Sequence, residues 1–510
     1  MQKEIIVDTS LGEVRIAVVE NGRLVELYLE HEDAEHYAGD IYKGRVEDVL
    51  PGLGSAFVDI GHDKRGLLHA SDVVVTGIED IDEHFLTESG APQEADFSSP
   101  QGQIADILQP GQSVVVQVTK ESIRDKGSKL TTALAIPGRY LVLTPLVDRV
   151  NLSSRLEEEE ERERLRQVVE EAKPKGHGFI VRTAARGVEP EFLVRDMEDL
   201  LATWNRIQAK SQRKRAPALL YKDKDLLERV LRDQFTGDVD VLISDSLATY
   251  ERVSTLAGNY APELVSRVRL YEDDLPIFDA YGLEAEIDRM FRRRIWLRSG
   301  GYIVIDEAEA LVAIDVNTGR FLGREDQEAT ILKTNLEAAA EIARQVRLRN
   351  IGGIIILDFI DMTIPANKEQ VLETLRELMA RDRARSKILE LSELGMVEMT
   401  RQRQRGSLVS SLSRTCPYCR GRGTVLDFDV LGARLERELA RRLRERPREE
   451  ITVVVHPRVK NFLETSYAER LNRLELEHEA EVTVLAREDL ALDDVEILDP
   501  QRPERKYVDQ

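Results

Sequence analysis

Residues 311–361 constrain the fold more than any other stretch. They contain two apolar runs, LVAIDVNTG and GGIIILDFIDM. Each reads as a buried strand, because it is short, continuously apolar, and ends in a carboxylate, Asp315 in the first and Asp358 in the second. Between them, Leu332, Leu336, Ala339, Ala343 and Val346 recur at helical spacing within residues 329–349. The unit is strand–helix–strand with an acid at each strand tip, where a rigid scaffold presents working groups. If the strands are neighbours, the two carboxylates converge on one hard cation. Mg²⁺ suits such a site, since it is held by one or two carboxylates plus waters and a substrate phosphate. The alternative is that both acids only solvate strand ends.

The remaining constraints are broader. A chain of 510 residues with 42% hydrophobic content has room for about three to five packed domains. Its net charge of −22 argues against a basic nucleic-acid coat but leaves room for a local basic groove. No run of 18 apolar residues exists, so no membrane span is expected. MQKEIIVDTS has no apolar signal core. The two cysteines suit a reducing cytoplasm.

Taken in order, residues 3–30 alternate apolar and polar as three antiparallel strands, with Asn21-Gly22 as a two-residue turn. Residues 37–128 are strand-rich and punctuated by glycine, the pattern of a small barrel of the OB type. Such barrels bind single strands with aromatics and surrounding cations. Tyr42, Lys43, Phe57, Lys64, Arg65 and His69 are the candidate contacts, and residues 76–108 read as a long acidic loop. Residues 129–225 hold an acidic run from Glu157 to Glu163, read as a solvated helix face. They also hold Arg182-Thr183 at the end of an apolar strand. An Arg fork beside a hydroxyl can hold a phosphate through charge-assisted bonds. A surface arginine is the plainer reading.

Residues 226–290 alternate helix and strand and offer strands to complete the N-terminal sheet as a discontinuous α/β domain. Residues 291–412 carry the opening stretch. A helix is then expected through residue 387, with Arg381, Arg383 and Arg385 forming a cationic row. A strand-like segment and a second basic run, Arg401, Arg403 and Arg405, follow. Phosphate contacts and solvated faces are both open readings of these cations.

Residues 413–425 contain Cys416-Pro-Tyr-Cys419-Arg-Gly-Arg-Gly, half of a zinc ribbon. A structural Zn²⁺ takes four ligands, and the chain has two thiols, so a second copy would complete a Cys₄ site across a twofold axis. A redox pair and two unliganded thiols are the alternatives; the redox reading lacks the usual βαβ context. Residues 426–510 read as a small α/β unit of helix, strand, helix, strand, without a catalytic constellation.

The succession YKGRVEDVLPGLGSAFVDIG, IVRTAA, LVAIDVNTGRF, TNLEAAAEIARQVRLRNIGGIIILDFIDM and CPYCRGRG resembles the ribonuclease E/G family along essentially the whole chain. The resemblance implies a multidomain α/β and β architecture. An RNase H-like domain (1–36 and 226–290) would be interrupted by an OB-fold barrel of the S-one type (37–128) and a 5′-sensor domain (129–225). A DNase I-like catalytic domain (291–412), the zinc link (413–425) and the small domain (426–510) would follow. It implies a Mg²⁺-dependent endoribonuclease that cleaves single-stranded RNA, prefers 5′-monophosphorylated ends, leaves 5′-phosphate products, and acts in rRNA and tRNA processing and mRNA decay. Asp315 and Asp358 would hold Mg²⁺, with Asn317 positioning the metal or the attacked phosphate. Arg182 and Thr183 would form the 5′-monophosphate sensor, supported by Gly138, Val142 and Arg385. Phe57 and Lys126 would contact RNA on the barrel, where Leu67 replaces a second aromatic of the family pattern. Cys416 and Cys419 would share Zn²⁺ between protomers, giving a homodimer or a dimer of dimers. The rival classes are a non-catalytic RNA-binding assembly factor and a DNA nuclease.

Overall fold

The computed structural model describes residues 2–31, 36–73, 104–122, 127–156, 158–319, 327–392, 395–403, 406–446, 448, 450–499 and 502–507. The chain divides into two units, residues 1–408 and 409–510. Among the described residues no helix is long and apolar enough to cross a membrane.

The expected N-terminal hairpins are present as strands Lys3–Asp8, Glu13–Glu20 and Arg23–His31. Asn21 and Gly22 both have positive φ, 49° and 74°, as the tight turn joining the last two requires. Residues 241–270 do complete this sheet. Strand Val241–Ser244 runs parallel to Lys3–Asp8, pairing Ile5 with Leu242, and Val268–Leu270 lies outside it. Helices Leu226–Gln234 and Leu247–Tyr260 cover one face through Val230, Leu231, Val253 and Ala257.

Between the two halves of that sheet lies a small closed barrel, consistent with an OB-like domain. Strands Ile41–Leu50, Ser55–Asp59, Gly66–His69, Lys129–Thr131 and Ser113–Lys120 pair in that order, and the last returns to the first. Gly66 is required by the curvature, since a Cβ there would sit 2.4 Å from Leu130 Cδ1. Most of the expected 76–108 loop lies outside the described residues. A second insertion follows: strands Ile136–Pro137, Leu141–Thr144, Val150–Leu152 and Gly178–Val181 form one sheet, packed by helices Glu159–Ala172 and Pro190–Arg213.

The opening stretch folds as a six-stranded sheet ordered Arg294–Trp296, Tyr302–Glu307, Leu311–Asn317, Gly353–Asp358, Val397–Arg401, Ser386–Leu391. Its helix, Gln327–Leu348, lays Ala338, Ala339, Ile342, Ala343 and Val346 on the sheet. The other side is also buried, against the N-terminal sheet. Arg344 donates to Leu24 O at 2.8 Å, and Arg347 reaches Glu20 and Glu26 at 2.8 and 2.9 Å. Two details differ from the sequence reading. Helix Pro365–Met379 stops before Arg381, so Arg381, Arg383 and Arg385 lie on a connector. The segment after them is a hairpin of two strands. Asp382 ends the helix: its carboxylate accepts from Ala384 N and from Arg401, both inside the protein.

The second unit has a sheet ordered Glu481–Ala486, Glu450–Val455, Val495–Asp499, Arg502–Tyr507. Helices Phe428–Glu445, Pro457–Glu464 and Ala468–His478 pack against it through Leu435, Leu439, Val459 and Leu471. The expected single helix after Pro457 is thus broken in two, at residues 465–467.

Candidate functional site: an acid pair on an open sheet face

Leu311–Asn317 and Gly353–Asp358 are neighbouring parallel strands, and Asp315 pairs directly with Asp358. Residues paired across a sheet share a face. Ile314, Val316, Ile355 and Leu357 point into the core, which leaves Asp315 and Asp358 exposed on the opposite face. Asn317 lies two residues beyond Asp315, and its Nδ2 donates to Asp315 Oδ2 at 2.6 Å. Burial, then the charges of Asp315 and Asp361, pushes the Asp358 carboxyl up. Repelling carboxylates at adjacent strand tips suit a cation. Among the described residues, no group of three or more His, Cys, Asp or Glu side chains gathers as a metal cage. Two carboxylates are a donor set that a hard ion can share with waters.

A second residue fixes the backbone after Asp358. Asn335, fully buried in helix Gln327–Leu348, donates to Ile360 O at 2.8 Å and accepts from Ile360 N at 3.1 Å. This clamp orients the turn that carries Asp361. Sequence reasoning missed it, although an asparagine on an apolar helix face was the available signal.

The basic residues are mostly engaged. Arg401 is buried, bonded to Asp382, Asn350 and Ile351 O. Arg403 donates to Gly352 O, and Arg405 lies outside the described residues. Arg385 is exposed at the entry to strand Ser386–Leu391.

Arg182 is not a surface arginine: it is 6% exposed. Its Nη1 donates to Gly138 O and its Nη2 to Asp233 Oδ1, both at 2.6 Å. Its Nε is buried without a partner. Burial pulls its pKa down against the attraction of Asp233. Thr183 shares a hydrogen bond of 3.2 Å with Ser153. Val142 pairs with Ile180 across the same sheet and is buried. Gly138, Val142, Arg182 and Thr183 therefore come together. A Cβ at Gly138 would lie 2.6 Å from both carboxylate oxygens of Asp196. Asp196 accepts from the amides of Arg139, Tyr140 and Leu141. The charge of Arg383, on the connector, reaches Arg182 and helps pull its pKa down. Arg155 seats this connector by donating to the carbonyls of Asp382 and Arg383. Asp233, Asp196 and Arg155 carried no sequence signal, because a charged residue on an amphipathic helix or loop is ordinary.

On the barrel, Phe57 is half-buried and stands opposite Leu67, which is 38% exposed. Lys126 lies outside the described residues. Tyr42 and Lys43 serve the fold. Tyr42 is buried, hydrogen-bonded to His62, and Lys43 caps carbonyls at the end of helix Pro190–Arg213.

In the second unit Cys416 and Cys419 form a turn in which Arg420 N donates to Cys416 O at 2.8 Å and Arg422 N to Cys419 O at 2.9 Å. The amides of Gly423 and Gly421 hold the Cys419 thiol below its usual range. Two thiols on one tight turn, one of them favoured toward its charged form by backbone amides, are the donor type that a structural metal takes. Arg420 and Arg422 tie the turn to buried Asp494 and Asp493. The βαβ unit that a redox pair calls for is present, with Glu450–Val455 parallel to Glu481–Ala486, but the cysteines precede it.

Two family models match this chain: "Ribonuclease E/G family" over residues 135–404, and "RNase E/G, Thioredoxin-like domain" over residues 415–502. Ribonuclease G of Salmonella typhimurium (strain SL1344) is 41% identical over 86% of this chain and 88% of its own length. Ribonuclease G of Haemophilus influenzae (strain ATCC 51907 / DSM 11121 / KW20 / Rd) is 38% identical over 90% and 91%. Ribonuclease E of the same organism is 36% identical over 96% of this chain and 51% of its own length.

Proposed function

The chain belongs to the ribonuclease E/G family, and we propose that it is an endoribonuclease that hydrolyses single-stranded RNA at the face carrying Asp315 and Asp358. The observation that carries this reading is the direct pairing of the two acids on adjacent parallel strands. Asp315 and Asp358 would hold Mg²⁺, which when bound supplies Lewis acidity and offsets charge on the attacked phosphate. Asn317 fixes the Asp315 carboxylate through its 2.6 Å bond, and so would orient it toward the ion. Asn335 holds the Asp361 turn in place behind it. In-line attack by water would give a 3′-hydroxyl and a 5′-phosphate.

The same reading extends to the rest of the chain. Arg182 and Thr183 would receive a 5′-monophosphate, with Gly138 and Val142 forming the wall and Arg385 near its rim. The barrel would hold single-stranded RNA through Phe57 and Lys126. Cys416 and Cys419 would share Zn²⁺ with a second copy, giving a homodimer or a dimer of dimers. The discontinuous sheet and the acid-bearing sheet are proposed to correspond to RNase H-like and DNase I-like domains. The physiological role would be rRNA and tRNA processing and mRNA decay.

The test is cleavage of a 5′-monophosphorylated single-stranded RNA and its DNA counterpart with Mg²⁺. Losing either acid should remove several kcal/mol of charge stabilisation, so Asp315→Asn and Asp358→Asn are each expected to cut the RNA rate at least about a hundredfold. Undiminished cleavage in either variant would refute the assignment. Equal cleavage of DNA would identify a general nuclease, and RNA binding without Mg²⁺-dependent product a non-catalytic factor.

A further inference from the structure

The acid-bearing face continues beyond the acids. Strand Arg294–Trp296 pairs with Tyr302–Glu307, and that strand with Leu311–Asn317. Register partners therefore set two parallel rows across one face. One row is Arg294, Val304, Asp315, Asp358, and the other is Trp296, Tyr302, Asn317. Trp296 is 62% exposed, unusual for the largest apolar side chain unless something covers it. It is restrained: its ring lies 5.2 Å from that of Tyr302, edge to face at 63°. The Arg294 guanidinium sits over the same tyrosine ring at 4.4 Å. Strand spacing of about 4.8 Å and about 3.4 Å per residue place Trp296 roughly 12 Å from Asp315, backbone to backbone.

We propose that Trp296, with Tyr302 and Arg294, is a stacking platform for an unpaired base of the RNA close to the phosphate cleaved at Asp315 and Asp358. The inference rests on the proposed function, because it takes the acid row as the place where the phosphate lies. Three observations favour a nucleotide there. The platform and the acids share one face, so a chain that brings a phosphate to Asp315 passes along it. An exposed indole with a neighbouring guanidinium offers stacking to the base and charge to the backbone, the pairing that single-strand binders use. And the two rows that join Trp296 to the acids carry Arg294, Asn317 and Asp315 beside Tyr302 and Val304. A second protein laid flat across them would bury charges without partners, which is costly.

The chain has two tryptophans, and Trp204 is buried in helix Pro190–Arg213. In Trp204→Phe, Asp315→Asn protein, Trp296 is the sole tryptophan, excited selectively over tyrosine at long wavelength, and turnover is suppressed. Titration with short single-stranded oligoadenylate should quench it saturably, and the matched duplex should not. Trp296→Ala should weaken binding of the single strand about tenfold, about 1.4 kcal/mol, and raise KM for cleavage more than it lowers kcat. Trp296→Phe should recover most of the loss. If Trp204→Phe does not fold, protection of the exposed tryptophan from acrylamide by the same RNA in the two-tryptophan protein answers the question. Unchanged emission and unchanged acrylamide access while RNA binds, read by anisotropy, would overturn the platform. So would emission that follows protein concentration without RNA, the sign of a second copy on this face. Quenching is read without cleavage. Loss of quenching with acid-dependent cleavage intact sinks only the platform, whereas undiminished cleavage in the acid variants sinks the function.

Discussion

Asp233→Asn removes the one carboxylate that two buried guanidiniums share. Arg182 Nη2 donates to it at 2.6 Å, and Arg232 Nε and Nη2 donate at 2.9 Å each. Arg182 and Arg232 are 6% and 2% exposed. With an amide at this position, two cations face each other out of water. Removing one partner of a buried pair costs about 3–5 kcal/mol. The amide keeps one acceptor oxygen, so the lower figure applies, which is about a hundredfold in the local opening equilibrium. The sign of the pH dependence follows. Burial pushes the Asp233 carboxyl up, but Arg182 and Arg232 pull it further down, well below the usual carboxylate range. Its stabilisation is therefore complete above the unfolded value of about 3.9 and is lost only as pH falls toward the lower folded value. The gap between wild type and variant should be constant from about pH 5 to 8 and narrow in strong acid. Amide hydrogen exchange followed by mass spectrometry reads the effect at residues 139–142 and 181–185, which are joined by the Arg182 N to Tyr140 O bond of 2.8 Å. Exchange there should rise about a hundredfold while the barrel and the second unit stay unchanged. The reasoning is refuted if both segments exchange within about threefold of wild type. The released Arg182 should also reduce discrimination between 5′-monophosphorylated and 5′-hydroxyl RNA.

Two further outcomes are expected. Gly138→Ala places a methyl 2.6 Å from both Asp196 oxygens, so Asp196 must move off the three amides it holds. A loss of about 1–3 kcal/mol in local stability and a reduced 5′-end preference are expected, by exchange and by competition between 5′-labelled RNAs. Cys416→Ser with Cys419→Ser should abolish zinc in the purified protein and lower its mass by light scattering to that of one chain; retained metal and mass would contradict a shared site.

The acid pair was legible in sequence because parallel strands have a strong signature: unbroken apolar runs, glycine boundaries, and a polar tip; the expectation that both strands are buried was not met, since only one face is covered and Ile354 on the acid-bearing face is 51% exposed. The helix between them was legible too, though not the use of its polar side. Glu341 and Arg344 look like solvent-facing residues in the linear pattern, yet both are buried and face Glu286, Arg23 and Leu24. Those partners lie tens to hundreds of positions away, where periodicity carries no information. The same limit hid Asp233 and Asp196 behind Arg182. The arginines at 381–385 misled for a local reason. A helix-favouring composition continues past Met379, but the bond from Ala384 N to Asp382 and the buried Asp382–Arg401 pair end the helix. Arg182 itself was marked by its place at a strand end, and its burial was not.

The first sheet is closed from two distant parts of the message. Strand Lys3–Asp8 acquires its parallel neighbour only when Val241–Ser244 exists, and Lys3 N reaches its acceptor Asp240 across 237 positions. At about 5–20 residues per second a ribosome takes roughly 12–50 s to cover that interval. Throughout it, the nascent hairpins carry an open apolar edge at Ile5 and Val7, the kind of edge that recruits other chains. The barrel and the Arg182 layer emerge during this wait. Translation speed through residues 32–240 therefore sets how long the sheet stands unfinished in the cell.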